Sequence, residues 1–555
     1  MQKWIYAMGY EDLREFIINF AGPVLGGALA SYFALLFFTV PWYLPYLFLS
    51  VGVGFIFIYP YLQYEQKKVN IHENIHLFIT YAGTISTLDV NRHQFFTHVS
   101  KQEQFGYITE LSKKILYLAR DWNLGFAATS RKLAKFSPSR ILADFLDRMA
   151  AVLDFGEDLS TFLTEEQDAV MQDYANEYKQ SLENIKTLQD VFISITIAMA
   201  FALASALLVP ILIGIDMILV VQYGLFALIF VDLLLILLIK TFIPQDRLAH
   251  TLKIRDEGSQ KIRKYLYYAL PTSILLLAGT MWLGVLDFLV NVTIASLPLF
   301  VVGVLAMREE NVIFERDKAY PAFIRAMGGT IYVRGGGVSS ALGALQVHDF
   351  GVLQPMVEGL YRRLRLGSEK VKSWLYFSAE TGSNLIYYFT EIFRESIYLG
   401  GNGEKIGHII SQNFSQLLGL RKLRLQLASG MRGALYGGLV GFVATVYMAA
   451  SITEMLGQLF GGALNTGEDV TGQAAQLFNS ILPGVPELDM GLVGLYIGIM
   501  VIVHAASSSY IIKIIDGGKK EAMFFDFTAM CVVGSILSWV VPKISDWAFG
   551  GLVLG

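Results

Sequence analysis

The segment His72-Glu73-Asn74-Ile75-His76 is the first place in the chain where residue types and spacing could do chemistry. Two histidines four apart share one helix face and a glutamate between them can act as a base, the pattern of zinc hydrolases. Such a site needs a third ligand. Asp516-Gly517 is the only faint candidate, and no supporting residues surround it. The glycine clusters at 335–337 and 400–403 lack the Lys-Ser/Thr that a phosphate loop requires, so they read as turns. The sequence shows no catalytic machinery. Any mechanical work must then draw on a separate ATPase or an ion gradient.

Two ionisable residues lie inside apolar runs. Asp232 stands among Phe230, Val231 and Leu233–Leu235, and His504 lies in a similar stretch. Charge in a membrane span is expensive, which makes each a functional candidate. Either could face a filament subunit, a neighbouring helix or a proton path, and pairing between helices is the plainest reading.

Cations cluster in three places: Arg131, Lys132, Lys135 and Arg140; Arg362, Arg363, Arg365, Lys370 and Lys372; and Arg421, Lys422 and Arg424. The first two fall in the middle of polar regions, away from apolar runs, where they can pair with an acidic partner surface and raise its association rate. The third lies just above an apolar run, where lipid headgroup contact is also expected.

The elements that must position these residues are mostly membrane helices. Of 555 residues, 54% are hydrophobic and only 16% charged, against about 25% charged in a soluble domain. No Lys or Arg occurs from Val191 to Ile239 or from Leu266 to Met307. Each stretch holds two spans at about 20 residues apiece. Nine spans are expected, at about 22–40, 43–63, 191–214, 217–241, 267–285, 288–307, 433–452, 490–512 and 522–541. The fold class is therefore an all-α polytopic membrane protein with two helical-bundle domains. Its division is 1–64 (an amphipathic start and spans one and two), 65–190 (first domain), 191–307 (spans three to six), 308–432 (second domain) and 433–555 (spans seven to nine).

Lys and Arg in short loops set orientation. The segment 243–265 holds Arg247, Lys253, Arg255, Lys261, Arg263 and Lys264, and the turn 513–521 holds Lys513, Lys519 and Lys520. The loop 453–489 has neither Lys nor Arg. Both large domains are then expected in the cytoplasm, with the protein in the cell membrane. Residues 65–190 carry 14 basic and 18 acidic residues, whereas 307–432 carry 16 and 11, an asymmetry that could steer a partner. The single cysteine, Cys531, lies in an apolar run, so no disulfide within the chain is expected. Met1–Phe20 lacks a cleavable signal pattern, and targeting is expected to rest on the first span. Gly433, Gly437, Gly438 and Gly441 in span seven are expected to let helices approach closely, within the chain or across a dimer seam.

Self-comparison reveals a repeat. Phe78-Ile79 and Gly83-Thr84-Ile85 match Phe323-Ile324 and Gly329-Thr330-Ile331; Phe105-Gly106 matches Phe350-Gly351; Leu124-Gly125 matches Leu366-Gly367. Gly156-Glu157 matches Gly403-Glu404, each ahead of a long amphipathic helix running into a span. The offset stays between 242 and 247. Each Gly-Glu step is expected to end one helix in a left-handed conformation and to place the acid in the first turn of the next. The copy of the His-Glu segment, Asp317-Lys318-Ala319-Tyr320-Pro321, contains no histidine, which also argues against zinc.

These residues resemble the type II secretion F-domain family, the membrane platform proteins of type IV pili, type II secretion systems and archaella. Arg316-Asp317-Lys318-Ala319-Tyr320-Pro321-Ala322-Phe323-Ile324-Arg325 is similar to the start of the second domain in archaeal members, as are Arg334-Gly335-Gly336-Gly337 and Ser339-Ser340-Ala341-Leu342. The two additional blocks of spans resemble the platforms of archaella and archaeal pili. The resemblance implies a scaffold that docks a hexameric cytoplasmic secretion ATPase and passes its motion to pilin- or archaellin-like filament subunits. A bend in the long helices after Gly156-Glu157 and Gly403-Glu404 is expected to carry that motion into spans three and seven. It also implies a homodimer in the bilayer, with no cofactor, metal or nucleic acid. The first two cation clusters become the expected ATPase docking sites, and the third a weaker one. The alternatives are a secondary transporter, which can also carry internal repeats, and a membrane zinc protease.

Overall fold

The structure, a computed structural model, describes residues 13–36, 44–88, 90–213, 216–254, 256–284, 286–335, 337–465 and 490–553. Much of the loop 453–489, together with Arg255 and Gly336, lies outside the described residues. Helices dominate, and the one extended contact among the described residues is a β-bridge between Ala249 and Ser383.

Two helices open the fold, α1 (Gly22–Leu36) and α2 (Leu44–Ser86). Four short helices follow: α3 (Arg92–Ser100), α4 (Tyr107–Leu116), α5 (Phe126–Phe136) and α6 (Arg140–Phe155). Then come α7 (Leu159–Ile213), α8 (Met217–Phe242) and α9 (Glu257–Leu283). The same order returns as a long α10 (Phe288–Arg334), short α11 (Val338–Leu345), α12 (Gln354–Arg365), α13 (Lys370–Thr381) and α14 (Asn384–Tyr398), and a long α15 (Gly403–Asn465). Helices α16 (Met490–Asp516) and α17 (Met523–Val553) close the fold.

Seven helices among the described residues are long and apolar enough to cross a membrane: α7 to α10 and α15 to α17. They coincide with the third to ninth expected spans. The expected spans at 22–40 and 43–63 fall on α1 and the first half of α2, with residues 37–43 between them outside the described residues.

Local chemistry explains why the short helices repeat. Ser139 caps α6 by accepting from Leu142 N, and Ser383 caps α14 by accepting from Ile386 N. Apolar residues then recur at helical spacing, Ile141, Leu142, Phe145 and Met149 in one and Leu385, Ile386, Phe389 and Phe393 in the other, and all are buried. The cores match as well. Phe78 meets Phe105 edge-on with centroids 6.1 Å apart, and Phe323 meets Phe350 edge-on at 5.3 Å. Gly106 and Gly351 have φ of +56° and +58°, and Gly125 and Gly367 have +75° and +76°, values at which a side chain is strained.

The third glycine pair departs from expectation. Gly156 ends α6 with φ +72°, but Glu157 precedes the next helix, and Asp158 caps α7 by accepting from Thr161 N. Gly403 instead begins α15, with Glu404 in its first turn, and the left-handed glycine there is Gly400. Gly403 is small for another reason: a Cβ would lie 2.8 Å from the Gly328 carbonyl oxygen, where α10 and α15 meet backbone to backbone. It is thus Gly328, not Gly329, that makes the close contact in the second copy.

The lobes around α3–α6 and α11–α14 join into one body through α2, α7, α14 and α15. Tyr81 Oη donates to Glu395 at 2.9 Å, and Ser396 Oγ donates to Thr84 Oγ1 at 2.8 Å. Leu159–Val209 and all of α15 contain no proline, and each helix is continuous from lobe to membrane. At about 1.5 Å per residue, the 63 residues of α15 make a rod about 95 Å long.

Candidate coupling site

Where the second lobe meets the membrane helices, residues 243–254 and Asp256 form a strap between α8 and α9. Arg421 of α15 holds it from one side. Its Nε and Nη2 donate to the two Asp246 carboxylate oxygens at 2.7 and 2.5 Å, and Nη2 also donates to the Arg247 carbonyl. Its Nη1 donates at 2.8 Å to Asp317 of α10, whose other oxygen accepts from the Ser383 hydroxyl. One turn further on, Arg424 donates to the carbonyls of Pro244 and Asp246 in the strap and of Ile514 and Ile515 in α16.

Guanidinium suits this position because it presents five donors in a fixed plane and stays charged when buried. Both arginines are buried. Burial alone would push the Asp246 carboxyl up, but Arg421, by charge and hydrogen bonds, carries it below the ordinary value. Asp317 goes the other way: burial raises it to about 6, because Arg421 and Ser383 only partly offset desolvation and Asp246 adds repulsion. The strap also docks on the second lobe. Asn384 N donates to the Leu248 carbonyl at 3.0 Å, His250 N donates to Gly382 O, and His250 Nε2 donates to Ala379 O at 2.9 Å.

This placement corrects the reading of the third cation cluster. Arg421 and Arg424 are buried ties, and only Lys422 of the three is exposed. Sequence reasoning grouped them by proximity in the chain. The signal it lacked was helical phase, since residues three apart share a face.

Below the strap, a second ionic layer joins the membrane helices. Lys513 of α16 pairs with Glu310 of α10 at 2.7 Å, and Arg432 of α15 pairs with Asp526 of α17 at 3.0 Å. Deeper still, Asp232 of α8 and His504 of α16 meet at 3.2 Å, each 1% exposed. The imidazole lies between the rings of Phe192 and Phe442, at 5.9 and 5.6 Å. Gln222 Nε2 donates to Tyr496 Oη at 2.7 Å along the same pair of helices. Helices α8 and α16 are thus tied to each other inside the membrane and, through Arg424, to α15 at their lobe-side ends.

The remaining candidates scatter. Arg131 pairs with Asp154 at 2.6 Å, while Lys132 and Lys135 are exposed. Arg140 lies elsewhere. It lines a hollow of about 680 Å³ with Lys68, His72 and residues 241–245 at the end of α8, so it faces the membrane side rather than the surface of Arg131. In the second lobe, Arg362 pairs with Glu358 and Lys372 with Glu369, on exposed surface. Arg365 lies over Tyr361 and Lys370 over Tyr398. Arg363 is committed internally, bonded to Glu380 and stacked on Tyr376.

The two histidines of the zinc-like segment have separate fates. His72 pairs with Glu177 at 2.9 Å. His76 is buried against the Tyr174 ring, and desolvation pushes it down to about 4. Among the described residues, no three His, Cys, Asp or Glu side chains converge to hold a metal. The glycines of span seven meet nothing: a Cβ at Gly433, Gly437, Gly438 or Gly441 finds no atom within 4 Å. Their face is not used for close packing with another described helix of the chain.

Comparison with known proteins accords with this architecture. The family "Type II secretion system (T2SS), protein F" matches residues 78–209, from the end of α2 through the first lobe and along α7. Flagella accessory protein J of Methanocaldococcus jannaschii is 32% identical, over 91% of this chain and 90% of its own length. Flagella accessory protein J of Methanococcus voltae is 31% identical with the same coverage. An uncharacterized protein of Methanocaldococcus jannaschii is 22% identical over 26% of the chain. No solved structure matches. Kinship across nine-tenths of the sequence, carried on seven membrane helices, places the chain in the flagella accessory protein J family of multi-pass membrane proteins.

Proposed function

We propose that this protein is the membrane platform of an archaellum- or type IV pilus-like machine. In this reading both lobes stand in the cytoplasm as duplicated domains, at about 65–190 and 308–432. A hexameric secretion ATPase docks on their exposed cations, and pilin- or archaellin-like subunits are assembled, and in archaella rotated, beside the membrane helices. A homodimer is part of the proposal, and the open glycine face of α15 offers a place for its seam.

The observation that carries the mechanism is the double grip of α15. Arg421 and Arg424 connect one unbroken helix to the strap after α8 and to the end of α16. A displacement of the second lobe along α15 therefore reaches α8 and α16 through these two arginines. The sequence carries no phosphate loop, and in this reading the partner ATPase supplies that displacement.

The test is purification of the full chain from membranes with and without the partner hexamer. Co-purification and stimulation of ATPase turnover are expected. Failure of the full chain to bind any secretion ATPase would overturn the docking assignment.

A further inference from the structure

We propose that residues 261–268 of α9 bind the headgroup of an anionic phospholipid in the lobe-side leaflet. Among the seven described helices long and apolar enough to cross a membrane, α9 is the least covered by the rest of the protein. One face, formed by Ile262, Leu266 and Ala269, packs on Val302 and Ala306 of α10. Every other side chain from 261 to 268 is exposed: Lys261, Arg263, Lys264, Tyr265, Tyr267 and Tyr268.

The cations are available. Among the described residues, neither Arg263 nor Lys264 has a carboxylate within 4 Å, and Lys261 reaches only an exposed Glu257, at 3.8 Å. One turn deeper come the three tyrosines, with Tyr267 74% exposed. Deeper again the exposed surface is mainly apolar, with Ile274 and Leu275 both exposed and the Thr272 hydroxyl turned back onto the carbonyls of its own helix. Charge, then phenol, then hydrocarbon is the polarity profile of a lipid read from phosphate to acyl chain, and aromatic residues with Lys and Arg mark that boundary in membrane proteins. A soluble acidic partner would match the cations but leave the tyrosines and the apolar band below them uncovered.

The position has a mechanical consequence. The strap is gripped by the second lobe at Asp246 and capped at its far end by Asp256, which accepts from Ser259 N at the start of α9. Headgroups held at 261–268 fix that far end in the leaflet, so that motion entering at Asp246 is not lost by sliding of α9. The lipid site itself stands without the ATPase reading.

The experiment uses the full chain in nanodiscs of phosphatidylcholine with about one-third phosphatidylglycerol, with native mass spectrometry to count retained lipids. Each cation near an anionic surface contributes about fivefold to binding. Arg263→Gln with Lys264→Gln is therefore expected to weaken phosphatidylglycerol retention at least about tenfold and to leave phosphatidylcholine unchanged. Arg131→Gln with Lys132→Gln, an equal loss of charge elsewhere, should retain the lipid. Unchanged phosphatidylglycerol binding in the first variant, equal loss in the second, or displacement of the lipid by soluble glycerol phosphate would each overturn the proposal.

Discussion

Gln167 and Asn413 occupy equivalent positions of the two helix series, and their side chains meet: Gln167 Nε2 donates to Asn413 Oδ1 at 3.1 Å. Asn413 in turn donates to Thr80 Oγ1 at 2.8 Å, so a single buried amide ties α15 to both α7 and α2. Removing one partner of a buried hydrogen bond leaves the others unsatisfied, at about 1–3 kcal/mol. Asn413→Ala should lower the thermal unfolding midpoint of the purified protein and loosen the lobes. The check is cross-linking between cysteines placed at Thr84 and Ser396, which should fall in yield in that variant.

Arg421 should be the least replaceable residue of the strap. Arg421→Ala strands the buried carboxylate of Asp317 and the partly buried one of Asp246, and loss of one member of a buried ion pair costs about 3–5 kcal/mol. Arg421→Lys should rescue little, because an ammonium cannot reproduce the planar fork. Asp317→Asn leaves Arg421 with Asp246 and should be much milder. Protein yield in membranes and hydrogen exchange across residues 243–250 would rank the three variants, and equal effects would refute the assigned roles.

Two buried groups near the lobe–membrane joint titrate with opposite sign. Asp317 is raised from 3.8 to about 6 in the fold, so its contribution is full below pH 4 and is lost as pH rises through 6. His76 is lowered from 6.5 to about 4, so its contribution is full above pH 6.5 and is lost as pH falls through 4. Each is worth about 3 kcal/mol, at about 1.4 kcal/mol per pH unit. Together they nearly cancel between pH 4 and 6. His76→Phe should expose a stability that rises on acidification, and Asp317→Asn one that falls. Chemical denaturation at pH 4.5 and 6.5 would read both slopes.

The Asp232–His504 pair should behave as a unit. Asp232→Ala or His504→Ala leaves an ionisable group in an apolar, aromatic box, and should cost about 3 kcal/mol or more. The exchanged pair, Asp232→His with His504→Asp, should recover much of that loss if the role is to join α8 to α16. Filament assembly and protein abundance should then recover together. Recovery of abundance without assembly would instead indicate a directional role in proton movement.

On the second lobe, Arg362→Glu with Arg365→Glu should weaken ATPase binding about tenfold at low salt, with a smaller effect at high salt. Arg363→Glu belongs to a different class: it breaks an internal pair with Glu380 and should destabilise the lobe. Unchanged ATPase affinity in the Arg362/Arg365 variant would remove this surface from the docking site.

Much of this protein is fixed by information local in the chain. Apolar runs free of Lys and Arg mark seven of the membrane helices because desolvation acts on each residue wherever it sits. The helix order repeats legibly because caps such as Ser139 and Ser383, and left-handed glycines such as Gly106 and Gly351, are set by the backbone around them. What the tertiary structure alone decided is which charges find partners. Asp232 and His504 are 272 residues apart, and Arg421 reaches across 175 residues to Asp246 and 104 to Asp317. Two arginines that read as a surface cluster became buried ties, whereas Arg362, one of three arginines close together in another stretch, stayed on the surface. Periodicity tells which face of a helix is apolar, but not which distant helix covers it. For a charge, that covering helix makes the difference between a buried structural pair and a surface open to a partner.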